Sequence, residues 1–144
     1  MEPLTVLIAD DHEIQRKLLT MMFEAFGCVV SAVATGDEAV RARGPFDIIC
    51  LDRHMPGLDG DEAASLIAGG SFMVACTSDP AGLGSGFRAV VSKPVSCSSL
   101  ANVVSRAASW RERLARWTWR KLHPVADWRA GGAEDLPVSA SLSG

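Results

Sequence analysis

Residues 46–60 read FDIICLDRHMPGLDG, and this stretch decides the fold of the chain. Its apolar run at 46–51 is typical of a buried strand, and the run ends directly before the charged residue Asp52. The Met-Pro-Gly sequence at 55–57 cannot continue a strand, so the chain must turn there. A buried strand that ends in a carboxylate and a sharp turn predicts a functional site at the end of that strand.

Apolar runs and helical patterns alternate along the rest of the chain. We predict five strands, and their ranges are 4–9, 28–34, 46–51, 71–77 and 89–92. We predict helices that run from Glu13 to Phe26, from about Thr35, from Gly60 to Ala68, and from Ser98 onward. Strands that alternate with helices imply a parallel sheet covered on both faces, so the predicted fold class is α/β.

Polar side chains stand where the predicted strands end. They are Asp10, Asp11, Asp52, Thr77 and Lys93. Parallel sheets of this kind place their sites at the carboxyl ends of the strands, so we expect all five at one edge. Three crowded carboxylates repel one another, and a divalent cation relieves that repulsion. Oxygen ligands suit Mg²⁺, and a nearby hydroxyl and ammonium could hold the oxygens of a phosphoryl group.

These motifs resemble the receiver domain of bacterial two-component response regulators, over about residues 4–110. The matching pieces are ADD after the first strand, LDRHMPGLDG after the third, CTS at the fourth and SKP at the fifth. The resemblance implies a flavodoxin-like, doubly wound, five-stranded parallel sheet with strand order 2-1-3-4-5. It also implies that Asp52 accepts a phosphoryl group from a histidine kinase or a histidine phosphotransfer protein.

The resemblance also implies the roles of the remaining site residues. Asp11 is then a direct Mg²⁺ ligand, Asp10 acts through water, and the backbone carbonyl of His54 is a further ligand beside Asp52. Thr77 and Lys93 contact the phosphoryl group. Outside this set we expect Asp59 only to cap a helix, and we expect His12 and His123 to lie on the surface.

The sequence departs from the receiver pattern before Lys93. Receivers commonly carry an aromatic residue three positions before the lysine, and here that position is Val90. Only fifteen residues separate Thr77 from Lys93, which is too few for a full helix and its loops. Pro80 and three glycines stand among them, and such residues cost roughly 1 to 3 kcal/mol each in a helix interior. We therefore expect the fourth receiver helix to be short or absent, with residues 78–87 mobile.

The C-terminal helix is predicted to extend to about Leu122, beyond the usual end of a receiver. A heptad-like seam runs along it through Leu100, Val103, Ala107, Trp110, Leu114 and Trp117. This seam either pairs, with a second copy through residues 98–122 or with another partner, or docks on the surface left by the short fourth helix, or is partly solvated. We divide the chain into a receiver domain at 1–110, a helical extension at 111–123 and a disordered tail at 124–144.

Composition narrows the class of protein. The 144 residues carry a net charge of −3, with an acidic body at 1–105 and a mildly basic remainder. No stretch reads as a signal peptide or as a membrane span, and the four cysteines show no paired spacing. We therefore expect reduced, buried cysteines and a cytoplasmic location. The weak positive charge near the C-terminus does not lead us to expect nucleic acid as a partner.

Three functions are compatible with this sequence. The first is a phosphoacceptor receiver in a phosphorelay, which is not an enzyme beyond catalysing its own phosphorylation and dephosphorylation. The second is a pseudo-receiver that binds a partner through its C-terminal helix whether or not Asp52 is phosphorylated. The third is a small Mg²⁺-dependent phosphohydrolase with Asp52 as nucleophile. The sequence does not name the kinase or the downstream target.

Overall fold

The computed structural model describes residues 2–67 and 69–123. Five strands are present in these residues: β1 (Thr5–Ala9), β2 (Val29–Val33), β3 (Ile48–Asp52), β4 (Phe72–Thr77) and β5 (Ala89–Ser92). Four helices alternate with them: α1 (Glu13–Ala25), α2 (Gly36–Arg41), α3 (Gly60–Leu66) and α4 (Cys97–Leu122). All strand pairs are parallel, and the order is β2-β1-β3-β4-β5. The predicted doubly wound α/β fold is confirmed.

Two helices begin at capping boxes that are visible in the sequence. The Thr35 side chain accepts from the backbone N–H of Glu38, and the Glu38 side chain accepts in return from Thr35, at the start of α2. Asp59 and Glu62 form the same arrangement at α3, so the expected cap by Asp59 is confirmed. The prediction that α3 reaches Ala68 was wrong, because the chain turns extended at Ile67 and the helix ends at Leu66.

Apolar residues cover both faces of the sheet, as the period of two along each strand requires. One face packs against α1 and α4, and its buried residues include Ile8, Phe23, Val74 and Leu100. The other face packs against α2 and α3, and its buried residues include Leu7, Ala39, Leu51 and Ala63. Cys28, Cys50 and Cys76 are buried as expected, whereas Cys97 is exposed at the start of α4.

The central strand β3 starts two residues later and ends one residue later than its apolar run at 46–51 suggests. Asp52 is the last residue of β3 and pairs with Cys76 in β4, so its side chain is fixed by the sheet. The predicted strand start at Phe46 was wrong, because β3 begins at Ile48 and the side chain of Asp47 binds groups outside the strand. Its carboxylate accepts from the backbone N–H of Thr5 at 2.9 Å and from Arg111 at 3.3 Å.

No helix is present among residues 78–87, all of which the structure describes. The expected loss of the fourth receiver helix is confirmed. The sequence analysis predicted a mobile segment and did not predict the hydrogen bonds that hold it, which come from the guanidinium of Arg53. That group donates to the carbonyl oxygens of Asp79 at 2.7 Å and Gly82 at 3.2 Å, and also to that of Ala81. Propensity explains the missing helix, and long-range hydrogen bonds explain how the segment is held.

Helix α4 is long, as predicted, and its first part is built into the core. Leu100, Val103 and Ala107 are buried, and Trp110 packs beside them while its Nε1 donates to the Gly70 carbonyl at 2.8 Å. The predicted seam therefore splits into a buried part, which ends at the partly buried Trp110, and a remainder beyond it.

The chain divides into two units, Met1–Glu112 and Arg113–Gly144. The first contains the sheet and its helices, and the described part of the second is the end of α4 with His123. The predicted disorder of 124–144 concerns residues that lie outside the described part of the chain. Among the described residues, no helix has the length and apolar character needed to cross a membrane.

Candidate functional site

Strand ends bring two carboxylates and one ammonium together at the carboxyl edge of the sheet. Asp10 follows β1, Asp52 ends β3, and Lys93 follows β5. The Lys93 Nζ lies 3.2 Å from an oxygen of Asp10 and 3.2 Å from an oxygen of Asp52. The side chains of Asp10 and Asp52 are only 1% and 6% exposed. A cation shared between two buried carboxylates is the centre of the site.

The charges in this cluster, together with burial, change the pKa values of Asp52 and Lys93. Burial raises the pKa of Asp52, and the negative charge of Asp10 raises it further. Lys93 and a hydrogen bond from the backbone of His54 lower that pKa, but they do not cancel the increase. Desolvation on its own lowers the pKa of Lys93, yet the charges of Asp52 and Asp10 outweigh it and the pKa is raised. Lys93 therefore stays charged, and ionised Asp52 is held at a cost in free energy.

Asp11 and His12 complete an acidic cluster around Asp10 and Asp52. One ligand atom from each of these four residues lies within 4.8 Å of the other three. The His12 Nδ1 is 3.3 Å from an Asp10 oxygen and 3.1 Å from an Asp11 oxygen. The prediction that His12 lies on the surface is correct for its exposure of 71%, but it missed these contacts. Only the turn into α1 brings the imidazole back over the carboxylates.

The donor set fits a hard divalent cation. Its acidic members are Asp10, Asp11 and Asp52, which offer carboxylate oxygens, the ligands that Mg²⁺ prefers. The Asp11 Oδ1 atom is buried and accepts no well-directed hydrogen bond, although the His12 Nδ1 lies 3.1 Å from it. A buried carboxylate oxygen without a donor is costly, and a bound cation satisfies it. The residues present therefore suit Mg²⁺.

The backbone after Asp52 is packed too tightly for a side chain at Gly60. A Cβ on Gly60 would lie 2.5 Å from the Asp52 carbonyl oxygen and 2.9 Å from the Arg53 Cα. The Gly60 N–H also donates to the Arg53 carbonyl at 2.8 Å. Gly57, at φ 77°, adopts the left-handed conformation that favours glycine. The turn at 55–57 thus folds the start of α3 against the strand end that carries Asp52.

Thr77 ends β4 as predicted, and its hydroxyl hydrogen-bonds the backbone of the loop that follows. The Oγ1 atom accepts from the backbone N–H of Asp79 at 3.0 Å and donates to the Asp79 carbonyl at 3.3 Å. Val90, at the position where receivers carry an aromatic residue, is 47% exposed on the edge strand. The structure therefore brings Asp10, Asp11, Asp52 and Lys93 together, and it leaves Thr77 bound to its own loop.

The fold and this edge define a doubly wound α/β domain with a cluster of carboxylates at the carboxyl ends of its strands. Residues 6–105 match the family model described as the response regulator receiver domain. This match covers more than half of the chain, so the chain belongs to the response regulator receiver domain family.

The sequence is also similar to proteins of two-component signalling systems. The chain is 36% identical over 70 residues to two-component response regulator ORR41 of Oryza sativa subsp. japonica, covering 44% of this chain and 55% of that protein. It is 34% identical over 64 residues to probable histidine kinase 1 of Oryza sativa subsp. indica, covering 43% of this chain and 7% of that protein. The chain thus spans only part of these curated relatives.

A solved structure shows the same fold. It is the receiver domain of sensor histidine kinase PA1611 from Pseudomonas aeruginosa PAO1, with a magnesium ion coordinated in its active site cleft. The TM-score is 0.67 at 22% identity, and the match covers 73% of this chain and 97% of that one. At this identity the likeness establishes the receiver fold of the present chain.

Proposed function

We propose that this receiver domain accepts a phosphoryl group on Asp52 from the phosphohistidine of a histidine kinase or a histidine phosphotransfer protein. The observation that carries the proposal is the pairing of a buried strand-end carboxylate with Lys93. The Lys93 Nζ is 3.2 Å from Asp52 Oδ1, which places a positive charge beside the carboxylate that would carry phosphorus. Family membership and the similarity to histidine kinases support the same role.

Asp10, Asp11, Asp52 and the backbone carbonyl of His54 are the proposed Mg²⁺ ligands. The acidic cluster supports this set, and so does the buried Asp11 oxygen, which accepts no hydrogen bond. Bound Mg²⁺ supplies positive charge against the phosphoryl oxygens. The magnesium ion in the related Pseudomonas receiver domain is consistent with this assignment.

The chain's own residues position the reactants. An oxygen of Asp52 forms a bond to phosphorus while the phosphorus–nitrogen bond breaks, and the imidazole keeps that electron pair. Such transfer depends mainly on alignment and on neutralisation of charge. Lys93 is placed to donate to a phosphoryl oxygen, and Asp10 holds Lys93 from its other side. The product is an acyl phosphate, which water later cleaves.

Phosphorylation is proposed to act through Thr77 and its loop. The new group adds roughly −1.5 to −2 charges next to Lys93. The Thr77 hydroxyl must leave Asp79 before it can donate to a phosphoryl oxygen, since it is now bound to that backbone. The two positions of this hydroxyl make the end of β4 and residues 78–87 the switching element. Because these residues contain no helix, the output surface differs from one that uses a fourth helix.

The two alternative functions, a pseudo-receiver and a phosphohydrolase, have less support. A pseudo-receiver that acts without phosphorylation has no need for a lysine held between two buried carboxylates. A phosphohydrolase needs a substrate pocket beside Asp52. Two cavities among the described residues lie elsewhere: one of about 360 Å³ is lined by Val40, Phe46 and Ile67, and one of about 280 Å³ lies between β5 and α4. We propose that the chain has no enzymatic activity apart from its own phosphorylation and dephosphorylation. We also infer a cytoplasmic location, which the four free cysteines support.

Pairing of two chains through residues 98–122 remains a prediction. The structure reduces the number of seam residues that such a pairing could use. Leu100, Val103 and Ala107 of the predicted seam are buried in the core of their own chain. Only Leu114 and Trp117 of that seam belong to the second unit. Light scattering of the full chain and of a chain that ends at Ser109 tests the pairing, because a dimer must become a monomer on truncation.

Incubation with a panel of purified, phosphorylated histidine kinases tests the main proposal. With Mg²⁺, at least one kinase should transfer one phosphoryl group to the wild-type chain, and Asp52→Asn should accept none. Asp59→Asn is the matched control, because Asp59 caps α3 and asparagine caps equally well. Equal labelling of Asp52→Asn and wild type would show that another residue is the acceptor. Turnover of a generic phosphate ester would favour the phosphohydrolase instead.

A further inference from the structure

Arg53 follows Asp52 directly and connects the end of β3 with the loop after β4. Its backbone carbonyl accepts from the Gly60 N–H at 2.8 Å, so the start of α3 holds the residue in place. Its side chain is only 15% exposed and reaches residues 79–82. A single residue therefore joins the strand end that carries Asp52 to a loop 26 to 29 positions further along the chain.

The guanidinium of Arg53 is surrounded by oxygen atoms of that loop and of α3. It donates to the carbonyl oxygens of Asp79 at 2.7 Å and Gly82 at 3.2 Å, and also to that of Ala81. Its nitrogens lie 3.7 Å from a carboxylate oxygen of Asp61 and 3.8 Å from one of Asp79. A planar group with five N–H donors can meet several oxygens at once, which a lysine ammonium cannot do in the same geometry.

Asp61 on α3 binds both Arg53 and the far part of the loop. Its Oδ2 atom faces the Arg53 guanidinium, and its Oδ1 atom accepts from the Gly84 N–H at 3.0 Å. Arg53 and Asp61 together hold residues 79–84, which contain no helix of their own. We call these two side chains the loop clamp.

The loop clamp acts on the same backbone group that binds Thr77. The Asp79 carbonyl accepts from Arg53 at 2.7 Å and from the Thr77 hydroxyl at 3.3 Å, and that hydroxyl accepts from the Asp79 N–H at 3.0 Å. Thr77 is only 1% exposed, so its hydroxyl needs a partner within the protein. Because Arg53 fixes the position of Asp79, it preorganises the partner that holds the hydroxyl in the loop.

We propose that Arg53, held by Asp61, is a positioning residue that opposes transfer of the Thr77 hydroxyl to a phosphoryl group on Asp52. This inference rests on the proposed phosphoacceptor function. After phosphorylation the hydroxyl has two alternative acceptors, the Asp79 carbonyl and a phosphoryl oxygen, and the loop clamp favours the first. A weaker clamp shifts the equilibrium toward the second. The loop clamp therefore sets how firmly the domain holds a phosphoryl group.

Titration of the full chain with beryllium fluoride in the presence of Mg²⁺ tests the proposal, because this complex mimics a phosphoryl group on a carboxylate. Fluorine NMR measures the dissociation constant. Arg53→Gln should bind about tenfold more tightly than wild type, which is the equivalent of roughly one charge-assisted hydrogen bond. Arg43→Gln is the matched control, since it removes the same charge from an exposed position, and it should bind like wild type.

Two milder variants examine the loop clamp itself. Asp61→Asn keeps an oxygen for the Gly84 N–H but removes the charge that holds Arg53, so it should tighten binding by a smaller factor than Arg53→Gln. Arg53→Lys keeps the positive charge, but one ammonium cannot meet three carbonyl oxygens, and its affinity should lie between those of wild type and Arg53→Gln. These variants also serve if Arg53→Gln does not fold.

A double-mutant cycle shows whether Arg53 acts through Thr77. Thr77→Ala removes the hydroxyl that the loop retains. In that background Arg53→Gln should change the affinity by less than about twofold, because no hydroxyl remains for the loop clamp to hold. The same gain from Arg53→Gln in both backgrounds overturns the proposal, since Arg53 then acts on the site by another route.

The titration also separates this inference from the proposed function. If wild type binds beryllium fluoride and Arg53→Gln binds it equally or more weakly, the loop clamp does not oppose the transfer, and the phosphoacceptor function stands. If wild type neither binds beryllium fluoride nor accepts a phosphoryl group from any kinase, the proposed function is wrong and this inference fails with it.

Discussion

Replacing Lys93 with methionine is the most direct perturbation of the site. Methionine keeps an unbranched stem of similar length but removes the ammonium, which is 3.2 Å from Asp10 and 3.2 Å from Asp52. Two buried carboxylates then face each other without a cation in the metal-free protein. We expect Lys93→Met to fold with a large loss of stability under these conditions.

The structure sets the size of that loss. At 3.2 Å and an effective dielectric constant of about 20, each contact contributes roughly 5 kcal/mol of gross attraction. Desolvation of Lys93 opposes this attraction. Removal of one partner from a buried ion pair costs about 3–5 kcal/mol in practice. For a domain of this size that corresponds to a fall of roughly 10–25 °C in Tm.

Urea unfolding in the presence of a chelator measures the effect, and Lys17→Met is the matched control. Lys17 forms an ion pair with Glu13 at the same distance of 3.2 Å, but both side chains are exposed. An exposed i, i+4 pair contributes only about 0.3–0.5 kcal/mol. Millimolar Mg²⁺ should recover part of the stability of Lys93→Met, because a ligand of the native state stabilises it.

The pH dependence gives a second check on the same variant. Lys93 lowers the pKa of Asp52, so its removal raises that pKa further above the ordinary value of 3.8. The folded variant then holds a proton where the unfolded chain has lost it. Its free energy of unfolding therefore falls as pH rises from about 4 through the raised pKa. Equal losses for Lys93→Met and Lys17→Met at neutral pH would refute the view that Lys93 neutralises buried charge.

Three further predictions concern other parts of the domain. Asp52→Asn should raise the melting temperature of the metal-free protein, because the raised pKa shows that ionised Asp52 is unfavourable in the fold; a lower melting temperature contradicts this. Arg53→Gln should accelerate amide hydrogen exchange in residues 78–87 but not in the sheet, since the guanidinium anchors that loop. Unchanged exchange there would mean that the loop holds itself. Trp110→Phe should cost about 0.5–1.5 kcal/mol in urea unfolding through loss of its hydrogen bond to Gly70. A variant as stable as wild type would show that water replaces this bond.

The sequence by itself determined the strand ends, and through them most of the site. Strand ends depend on local signals, such as an apolar run that meets a charge or a proline. Once parallel alternation sets the topology, the carboxyl ends must share one edge. Asp10, Asp52 and Lys93 were therefore predictable as neighbours, although Lys93 is 83 residues away from Asp10. The loss of the fourth helix was equally local, because proline and glycine disfavour a helix wherever they stand.

Only the tertiary structure decided how individual side chains are used. Arg53 reaches residues 26 to 29 positions away in the loop after β4, and no local pattern encodes that path. The Thr77 hydroxyl hydrogen-bonds the backbone of Asp79, and the course of the loop after β4 decides that partner. Trp110 lies on a seam that continues into exposed residues, yet its indole docks on Gly70 because the two segments meet in space. Periodicity identifies the face of a helix, but which part of that face is buried depends on where the rest of the domain ends.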